Sequence, residues 1–184
     1  NCIQSGNSVD YDLPTIEEKK EFIIDKKIAY QMTSMLEGVI QRGTGKRIAD
    51  LKIPLAGKTG TTNDNKDAWF IGFSPDIVVG VYVGYDNPKS LGYKETGSKV
   101  AVPIFKNFMK QALLKNNKIP FRVPSGISFV RIDPETGLQT NKENGIMEPF
   151  IQGTEPFNKK IQVLDSLGSV TTETLSGTGT LLFN

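Results

Sequence analysis

The chain has 184 residues and a formal net charge of +2, so it can bury a sizeable core, and its scattered lysines do not form the basic stripe that nucleic acid binding requires. It contains no histidine, which excludes imidazole base catalysis and the usual zinc sites within this chain. The single cysteine, Cys2, excludes an internal disulfide, and no run approaches the roughly 18 apolar residues of a membrane span.

The N-terminal segment is polar and mixed in charge. We interpret residues 1–24 as a connector from an upstream half of the same protein. Because the chain begins with Asn1 and not with methionine, we expect that sequence upstream of it has been removed. Any membrane anchor is expected to lie in that upstream part.

A first helix is predicted after Asp25, whose carboxylate suits an N-cap, and it should end before Gly43. Apolar residues recur along it at helical spacing, which predicts one buried face made of Ile28, Met32, Met35, Val39 and Ile40. The methionine pair is expected to fill core space, as flexible methionine side chains commonly do.

Three short runs after this helix are rich in apolar, β-branched or aromatic residues: KIPLAGKTGTT, DAWFIGF and IVVGVYVGY. The turn formers NDNK and SPD separate them, so the pattern predicts an antiparallel meander. Glycine weakens a strand unless backbone or ligand must approach closely. We interpret Gly60 as a point of ligand approach, and Gly72, Gly80 and Gly84 as points where a helix packs on the sheet.

A second helix is predicted to open with Pro103, since proline is tolerated in the first helical turn. Its apolar stripe should cover the sheet and consists of Ile104, Phe105, Phe108, Met109, Ala112 and Leu113. Further on, Asp133 to Gly137 is expected to turn a small hairpin. The Ser/Thr/Gly-rich end, VTTETLSGTGTLLFN, is expected to be flexible.

The segment PLAGKTGTTNDNKDAWF contains both GKT, as in a phosphate-binding loop, and KTG. A phosphate-binding loop needs a glycine five positions before its Gly-Lys pair, where this chain has Lys52. No helix is predicted after Thr59, although such a loop opens one. A second near match, GTGK at Gly43–Lys46, has Ile40 at the required glycine position. These departures disfavour a nucleotide site.

On an accessible edge strand, Lys58, Thr59 and Gly60 would suit an anionic ligand that contains an amide. An ammonium and a hydroxyl can hold a carboxylate, and a strand N–H can stabilise a developing oxyanion. Alternation puts Lys58 and Gly60 on the side opposite to Thr59, and Gly60 lets an extended peptide approach the edge. The alternative is a solvated strand lysine beside a β-forming threonine.

Over a longer stretch the sequence resembles the transpeptidase domain of class A, bifunctional penicillin-binding proteins. The blocks follow that family's order: AYQMTSMLEGVIQRGTGKRIA, PLAGKTGTTNDNKDAWFIGFSPDIVVGVYVGYDNP, VAVPIFKNFMKQAL and, more loosely, IDPETG and EPFIQGTEP. The resemblance implies an α/β (α+β) penicilloyl-serine-transferase fold, in which helices flank an antiparallel sheet. It implies the C-terminal part of the transpeptidase domain at residues 25–118, followed by a small β-rich extension at residues 119–184.

The resemblance also implies a serine-type D-Ala-D-Ala transpeptidase that crosslinks peptidoglycan stem peptides through an acyl-serine intermediate. β-Lactams would mimic the donor peptide and be trapped. A glycosyltransferase domain would lie upstream, and the protein would sit on the periplasmic side of the inner membrane of a bacterial cell envelope. The expected partners are the stem peptide, β-lactams and the upstream half of the protein, without a cofactor, a metal or nucleic acid.

Residue roles follow from the same resemblance. Lys58 would orient the substrate carboxylate and support proton transfer, and the Thr59 hydroxyl would hold that carboxylate. The backbone N–H of Thr61 would form half of the oxyanion hole. Further substrate-binding positions would be Gly60, Thr62, Gly43, Thr44 and Gly45. Asp67 and Trp69 are interpreted as structural, on the hairpin that follows the site.

Parts of the family pattern are missing. No serine in the chain has a lysine three positions later, so the nucleophile motif S-x-x-K is missing, and with it the second oxyanion-hole N–H. Ser5-Gly6-Asn7 matches S-x-N but lies too close to Lys58, and we interpret it as a coincidence. Gly97-Ser98 stands where the family has a glycine pair, a change expected to affect packing only.

The chain taken alone is therefore expected to be inactive. Two alternatives to an enzyme part stay open: a non-catalytic module that senses β-lactams or peptidoglycan, and an unrelated interaction domain in which KTG is accidental. Because the rest of the fold would lie upstream, we expect the sheet to expose apolar surface on both faces.

Overall fold

A computed structural model describes residues 21–113, 119–164 and 170–178 of the chain. Two long helices and a three-stranded antiparallel sheet form its centre: α1 (Lys26–Gln41), β1 (Ala56–Thr61), β2 (Ala68–Phe73), β3 (Val78–Val83) and α2 (Gly97–Ala112). The strands follow one another in the order β1-β2-β3. The antiparallel meander predicted from the three apolar runs is confirmed.

The strand register decides which side chains share a face of the sheet. Lys58 lies opposite Ile71, and Thr59 lies opposite Phe70, which in turn pairs with Val81. Since directly paired residues point to the same side, Lys58 and Thr59 belong to opposite faces, as alternation predicted. The Thr59 face is the buried one, because Phe70 and Val81 both belong to the core.

Helix α2 covers the buried face of the sheet. The Phe70 and Phe105 rings meet edge to face with their centroids 4.7 Å apart. The last turn of α1 and a 3-10 helix at Lys46–Leu51 complete the same core. The buried residues of this cluster are Ile40, Ile48, Leu55, Phe70, Val81, Ala101, Val102, Phe105 and Met109.

Only the opposite face of the described sheet exposes large apolar side chains. Trp69, Ile71 and Tyr82 are 41%, 52% and 50% exposed and lie on the Lys58 side. The expectation of exposed apolar surface on both faces is therefore wrong. The helices that follow and precede the meander in this chain are sufficient to close one face.

Helix α1 begins and ends as predicted but buries fewer residues. Asp25 is its N-cap and accepts a hydrogen bond from the Lys27 N–H at 2.8 Å. Ile40 is buried, whereas Met32 and Met35 are exposed. The prediction that the methionine pair fills the core is wrong, because the core meets α1 only near its C-terminal turn.

Helix α2 begins six residues earlier than predicted, at Gly97, so Pro103 lies inside it. Proline in a helix interior leaves one carbonyl of the preceding turn without its usual N–H donor. The buried stripe is also rotated relative to the prediction: Phe105 and Met109 are buried, but Ile104 and Phe108 are exposed. The apolar stripe of the sequence is wider than the face that touches the sheet.

The glycines in and just after the strands of the meander divide into two groups. A methyl group at Gly72 would lie 2.8 Å from the Phe105 ring, so close packing of a helix explains this glycine, as predicted. The same explanation is wrong for Gly80 and Gly84. The nearest atom to a methyl group at Gly80 is an Ile71 carbon at 4.0 Å, and Gly84 is bordered by the side chains of Tyr82 and Asp67.

The C-terminal region forms two further antiparallel pairs, β4 (Ile127–Ile132) with β5 (Ile146–Ile151) and β6 (Pro156–Leu164) with β7 (Val170–Thr178). The predicted turn at Asp133 to Gly137 is present, with the Gly137 N–H bonded to the Asp133 carbonyl at 2.8 Å. β4 nevertheless pairs along its length with β5, and meets the residues just after the turn in one bridge.

Strand β7 occupies much of the Ser/Thr/Gly-rich end that was expected to be flexible. The expectations for residues 1–20 and 179–184 lie outside the described residues. Among the helices in the described ranges, none has the length and apolar character that crossing a bilayer requires.

Two phenylalanines of α2 test this packing directly. Phe105→Ala should lower the free energy of unfolding by about 3–5 kcal/mol, because it removes a fully buried ring and leaves a cavity. Phe108→Ala, three residues further along, should change it by less than about 1 kcal/mol because that ring is exposed. Denaturant unfolding, followed by the fluorescence of the chain's one tryptophan, measures both. Equal losses in the two variants would contradict the described core.

Candidate functional site

The outer edge of β1 presents alternate backbone groups of the KTG segment. Beyond β1, the Thr62 N–H donates to the Asp67 carbonyl at 3.1 Å, which marks this pair as hydrogen-bonded across the hairpin. Bonded and non-bonded pairs alternate in an antiparallel ladder. Lys58 and Gly60 therefore bond towards β2, whereas Thr61 directs its N–H and carbonyl to the outer edge of the described sheet.

Lys58 brings a cation to this edge. Its side chain leaves β1 on the exposed face, and its Nζ donates to the Thr59 carbonyl at 2.9 Å. Gly60 lies on the same face, where a methyl group would be 3.2 Å from the Trp69 Cβ. The ammonium thus lies beside the outward-facing backbone of the strand.

The Thr59 hydroxyl meets a second hydroxyl from a different part of the chain. Thr59 Oγ1 and Thr44 Oγ1 are 2.8 Å apart, and Thr44 lies in the loop that follows α1. The N–H groups of Gly43 and Gly45 both bond to the Val39 carbonyl, at 3.1 and 2.9 Å. The close contacts of these two glycines are with α1, so their small size lets the loop fold onto the helix end.

The N-terminus of α2 holds both of these segments. Ser98 Oγ donates to the Thr44 carbonyl at 2.6 Å, and the Gly97 N–H donates to Thr61 Oγ1 at 3.0 Å. A methyl group at Gly97 would lie 2.5 Å from the Gly60 carbonyl oxygen. The expectation that Gly97-Ser98 affects packing only is therefore wrong, since Ser98 makes a direct hydrogen bond to the loop that contacts Thr59.

Thr62 closes the hairpin after the KTG segment. Its hydroxyl accepts a hydrogen bond from the Asp67 N–H at 2.8 Å and donates to the Asp67 carboxylate at 3.2 Å. Tyr82 donates to the same carboxylate at 2.9 Å. This hydrogen bond raises the pKa of Tyr82, with smaller contributions from desolvation and from the charges of Asp67 and Asp86. The side chain of Asp67 is thus bonded within the hairpin and to β3, and its structural role stays a prediction.

Taken together, the site offers one ammonium, two adjoining hydroxyls and an outward-facing backbone N–H: Lys58, Thr44, Thr59 and Thr61. Such a set can hold a carboxylate and stabilise an oxyanion, but it contains no activated nucleophile. In the ranges that the structure describes, no group of three or more acidic or cysteine side chains is placed to hold a metal ion.

The four residues of this set were all named in the sequence analysis, and their role in a binding site stays a prediction. The hydrogen bond of Ser98 to the Thr44 carbonyl was not foreseen. A serine at the start of a helix carries no signal of its own, because its partner, Thr44, is 54 residues away along the chain. The loop Gly43 to Gly45 was assigned to the substrate as a unit. Among the hydrogen bonds of the described residues, it is the central threonine of this loop that is bonded to the KTG strand.

Comparisons with known proteins show which family the chain resembles. A family model described as the penicillin binding protein transpeptidase domain matches residues 6–110. Penicillin-binding protein 1A of Rickettsia typhi is 51% identical over 138 residues, which cover 72% of this chain and 18% of that protein. Penicillin-binding protein 1A of Pseudomonas aeruginosa is 52% identical over 118 residues, which cover 64% and 14% of the two chains. The chain thus spans only 18% and 14% of the length of these relatives.

A solved structure resembles the fold. The crystal structure of penicillin-binding protein 1A from Haemophilus influenzae superposes with a TM-score of 0.64 at 37% identity, over 72% of this chain and 21% of that one. The fold class predicted from the sequence, an antiparallel sheet flanked by helices, is confirmed. The family match also does not favour the alternative of an unrelated interaction domain.

Gly97 provides a test of the contact between α2 and the KTG strand. Gly97→Ala should lower the free energy of unfolding by about 1–3 kcal/mol, because the new methyl group would press on backbone carbonyls that cannot swing away. Gly80→Ala is the matched control, since that position is open, and should change stability by about 0.5 kcal/mol or less. Thermal unfolding compares them. An unchanged melting temperature for Gly97→Ala would contradict the described approach.

Proposed function

This chain belongs to the penicillin-binding protein transpeptidase family, and we propose that it supplies the carboxylate-binding wall of a peptidoglycan D,D-transpeptidase. The observation that carries the proposal is the convergence of Lys58, Thr59 and the Thr61 N–H at one strand edge. Because the chain spans 18% of its Rickettsia relative, the activity is a proposal for the whole protein that contains it.

The proposed reaction has two steps. A serine hydroxyl from outside this chain attacks the carbonyl of the penultimate D-alanine of a stem peptide, and the terminal D-alanine leaves with a proton on its amine. An amine of a neighbouring stem peptide then attacks the acyl-serine ester and releases the serine. Both tetrahedral intermediates carry an oxyanion, so donors aimed at it lower both barriers.

Within this reaction we assign three roles to the KTG segment. The Thr59 hydroxyl and the Lys58 ammonium bind the terminal carboxylate, since charge-assisted hydrogen bonds are among the strongest available. Lys58 also supports proton transfer to and from the serine. The Thr61 N–H donates to the oxyanion together with the N–H of the serine itself.

Thr44 extends the carboxylate site beyond the tripeptide. Because its hydroxyl lies 2.8 Å from Thr59 Oγ1, it can orient that hydroxyl towards an incoming oxygen or donate to the carboxylate itself. Gly60 provides room for an extended peptide along the Lys58 face. We propose that Gly43, Gly45 and Thr62 act on substrate through the backbone positions they hold.

We further propose that the whole protein works in the bacterial cell envelope, on the outer side of the inner membrane where peptidoglycan is made. Its partners there would be the D-Ala-D-Ala stem peptide and the β-lactams that mimic it. The upstream half of the same protein would supply the serine and cover the exposed Lys58 face.

Removal of one hydroxyl tests the carboxylate assignment. In the full-length protein, Thr59→Val should slow acylation by a β-lactam about tenfold or more, because valine keeps the shape but loses a hydrogen bond to a charged group. Thr33→Val is the matched control: the hydrogen bond that the structure describes for Thr33 Oγ1 lies within α1, to the Ala29 carbonyl at 2.9 Å, so acylation should not change. Stopped-flow or gel labelling gives the rates. A wild-type rate in Thr59→Val would overturn the assignment.

A further inference from the structure

The antiparallel pair of β4 and β5 packs against α1 and extends to the C-terminal end of that helix. Gln31 Nε2 donates to the Pro149 carbonyl at 3.0 Å, and the Tyr30 and Phe129 rings meet edge to face at 6.2 Å. At the C-terminal end of α1, the Arg42 guanidinium forms an ion pair with the Glu148 carboxylate of β5. A cleft of about 570 Å³ lies between the two elements beside this pair.

The ion pair occupies a specific position relative to the candidate site. Arg42 is the C-cap of α1, and the next three residues form the loop Gly43 to Gly45 that brings Thr44 to Thr59. The Arg42 side chain is 44% exposed and the Glu148 side chain 15% exposed, so the carboxylate is largely withdrawn from water. Such a pair fixes a guanidinium better than two fully exposed groups would.

A glycine makes room for this arrangement. A methyl group at Gly38 would lie 2.8 Å from one guanidinium nitrogen of Arg42, so the arginine folds back across the helix at the point where Gly38 has no side chain. Glycine inside a helix is unfavourable relative to alanine. A glycine at position 38 is explained by the space that it leaves for the Arg42 side chain.

These contacts form a continuous path from the extension to the KTG strand. It runs from Glu148 to Arg42, through the loop to Thr44, and across a hydrogen bond of 2.8 Å to Thr59. The Val39 carbonyl and Ser98 hold the loop at its other contacts. Because two of its three residues are glycines, the loop has little stiffness of its own and takes its position from these anchors.

We propose that Arg42 and Glu148 are positioning residues, through which the C-terminal extension sets the Thr44 hydroxyl against Thr59. The inference rests on the proposed function of the cleft. Loss of the pair leaves the guanidinium only its weaker contact with the Gln41 side-chain oxygen among the described residues. The last turn of α1 is then less firmly held, so the Thr44–Thr59 contact is populated less and the carboxylate is held less well. The extension then affects substrate binding indirectly, through α1 and the loop Gly43 to Gly45.

The test uses β-lactam acylation rates of the full-length protein. Glu148→Gln should lower the second-order rate about fivefold, the size expected for one partly exposed charge pair. Gly38→Ala should lower it to a similar degree, because its methyl group would lie 2.8 Å from the Arg42 nitrogen that pairs with Glu148 and would force that nitrogen to move. Alanine also favours the helix, so the melting temperature should not fall in Gly38→Ala. A rate loss in a variant that is at least as stable cannot come from general destabilisation.

A double-mutant cycle separates positioning from a purely structural role. If Glu148 acts through the Thr44–Thr59 contact, Glu148→Gln should have little further effect in a Thr59→Val background. If it only ties the extension to α1, its effect should be the same in both backgrounds, and the proposal would be overturned. Lys142→Gln removes another ion pair of the extension, with Asp133, and should leave the rate unchanged.

The outcomes also separate this inference from the proposed function. Wild-type rates for both Glu148→Gln and Gly38→Ala, combined with slow acylation of Thr59→Val, would overturn only the positioning role. No acylation of the wild-type protein at all would overturn the proposed function, and the inference with it.

Discussion

The close approach of α2 to the backbone of β1 and β2 is the constraint on which the candidate site depends. Gly97 comes near enough to the carbonyl oxygens of Gly60 and Trp69 that no side chain fits there. That approach brings the first N–H of the helix to the Thr61 hydroxyl and the Ser98 hydroxyl to the Thr44 carbonyl. One glycine thus fixes the strand and the loop relative to each other.

The same constraint explains how an edge strand can serve as a binding wall. The unpaired N–H and C=O groups of an edge strand can form hydrogen bonds with a strand of another chain. Strand β1 is short and carries a lysine. Its two threonine hydroxyls are hydrogen-bonded, Thr59 to the loop after α1 and Thr61 to the first residue of α2. The outward N–H of Thr61 is consequently held in a defined direction, which is the requirement for preorganised stabilisation of an oxyanion.

Much of this could be predicted from the sequence, because it depends on local patterns. Alternating apolar runs between turn formers predicted the meander, and Asp25 predicted the start of α1. The contacts between distant segments were not predictable, since nothing in the sequence near Ser98 or Arg42 points to Thr44 or Glu148. The start of α2 was missed for a related reason: Pro103 looked like a first-turn residue, whereas the tight packing of Gly97 extends the helix upstream.

Labelling with fluorescent penicillin shows whether the KTG strand is one wall of an acyl-transfer cleft. The full-length protein would be labelled as wild type, as Lys58→Ala and as Lys66→Ala, a nearby, partly exposed lysine whose ion pair is with Asp64. We expect strong loss of labelling in a folded Lys58→Ala protein and normal labelling of Lys66→Ala. Equal labelling of all three would mean that Lys58 is a surface lysine and that the KTG strand is not a wall of such a cleft.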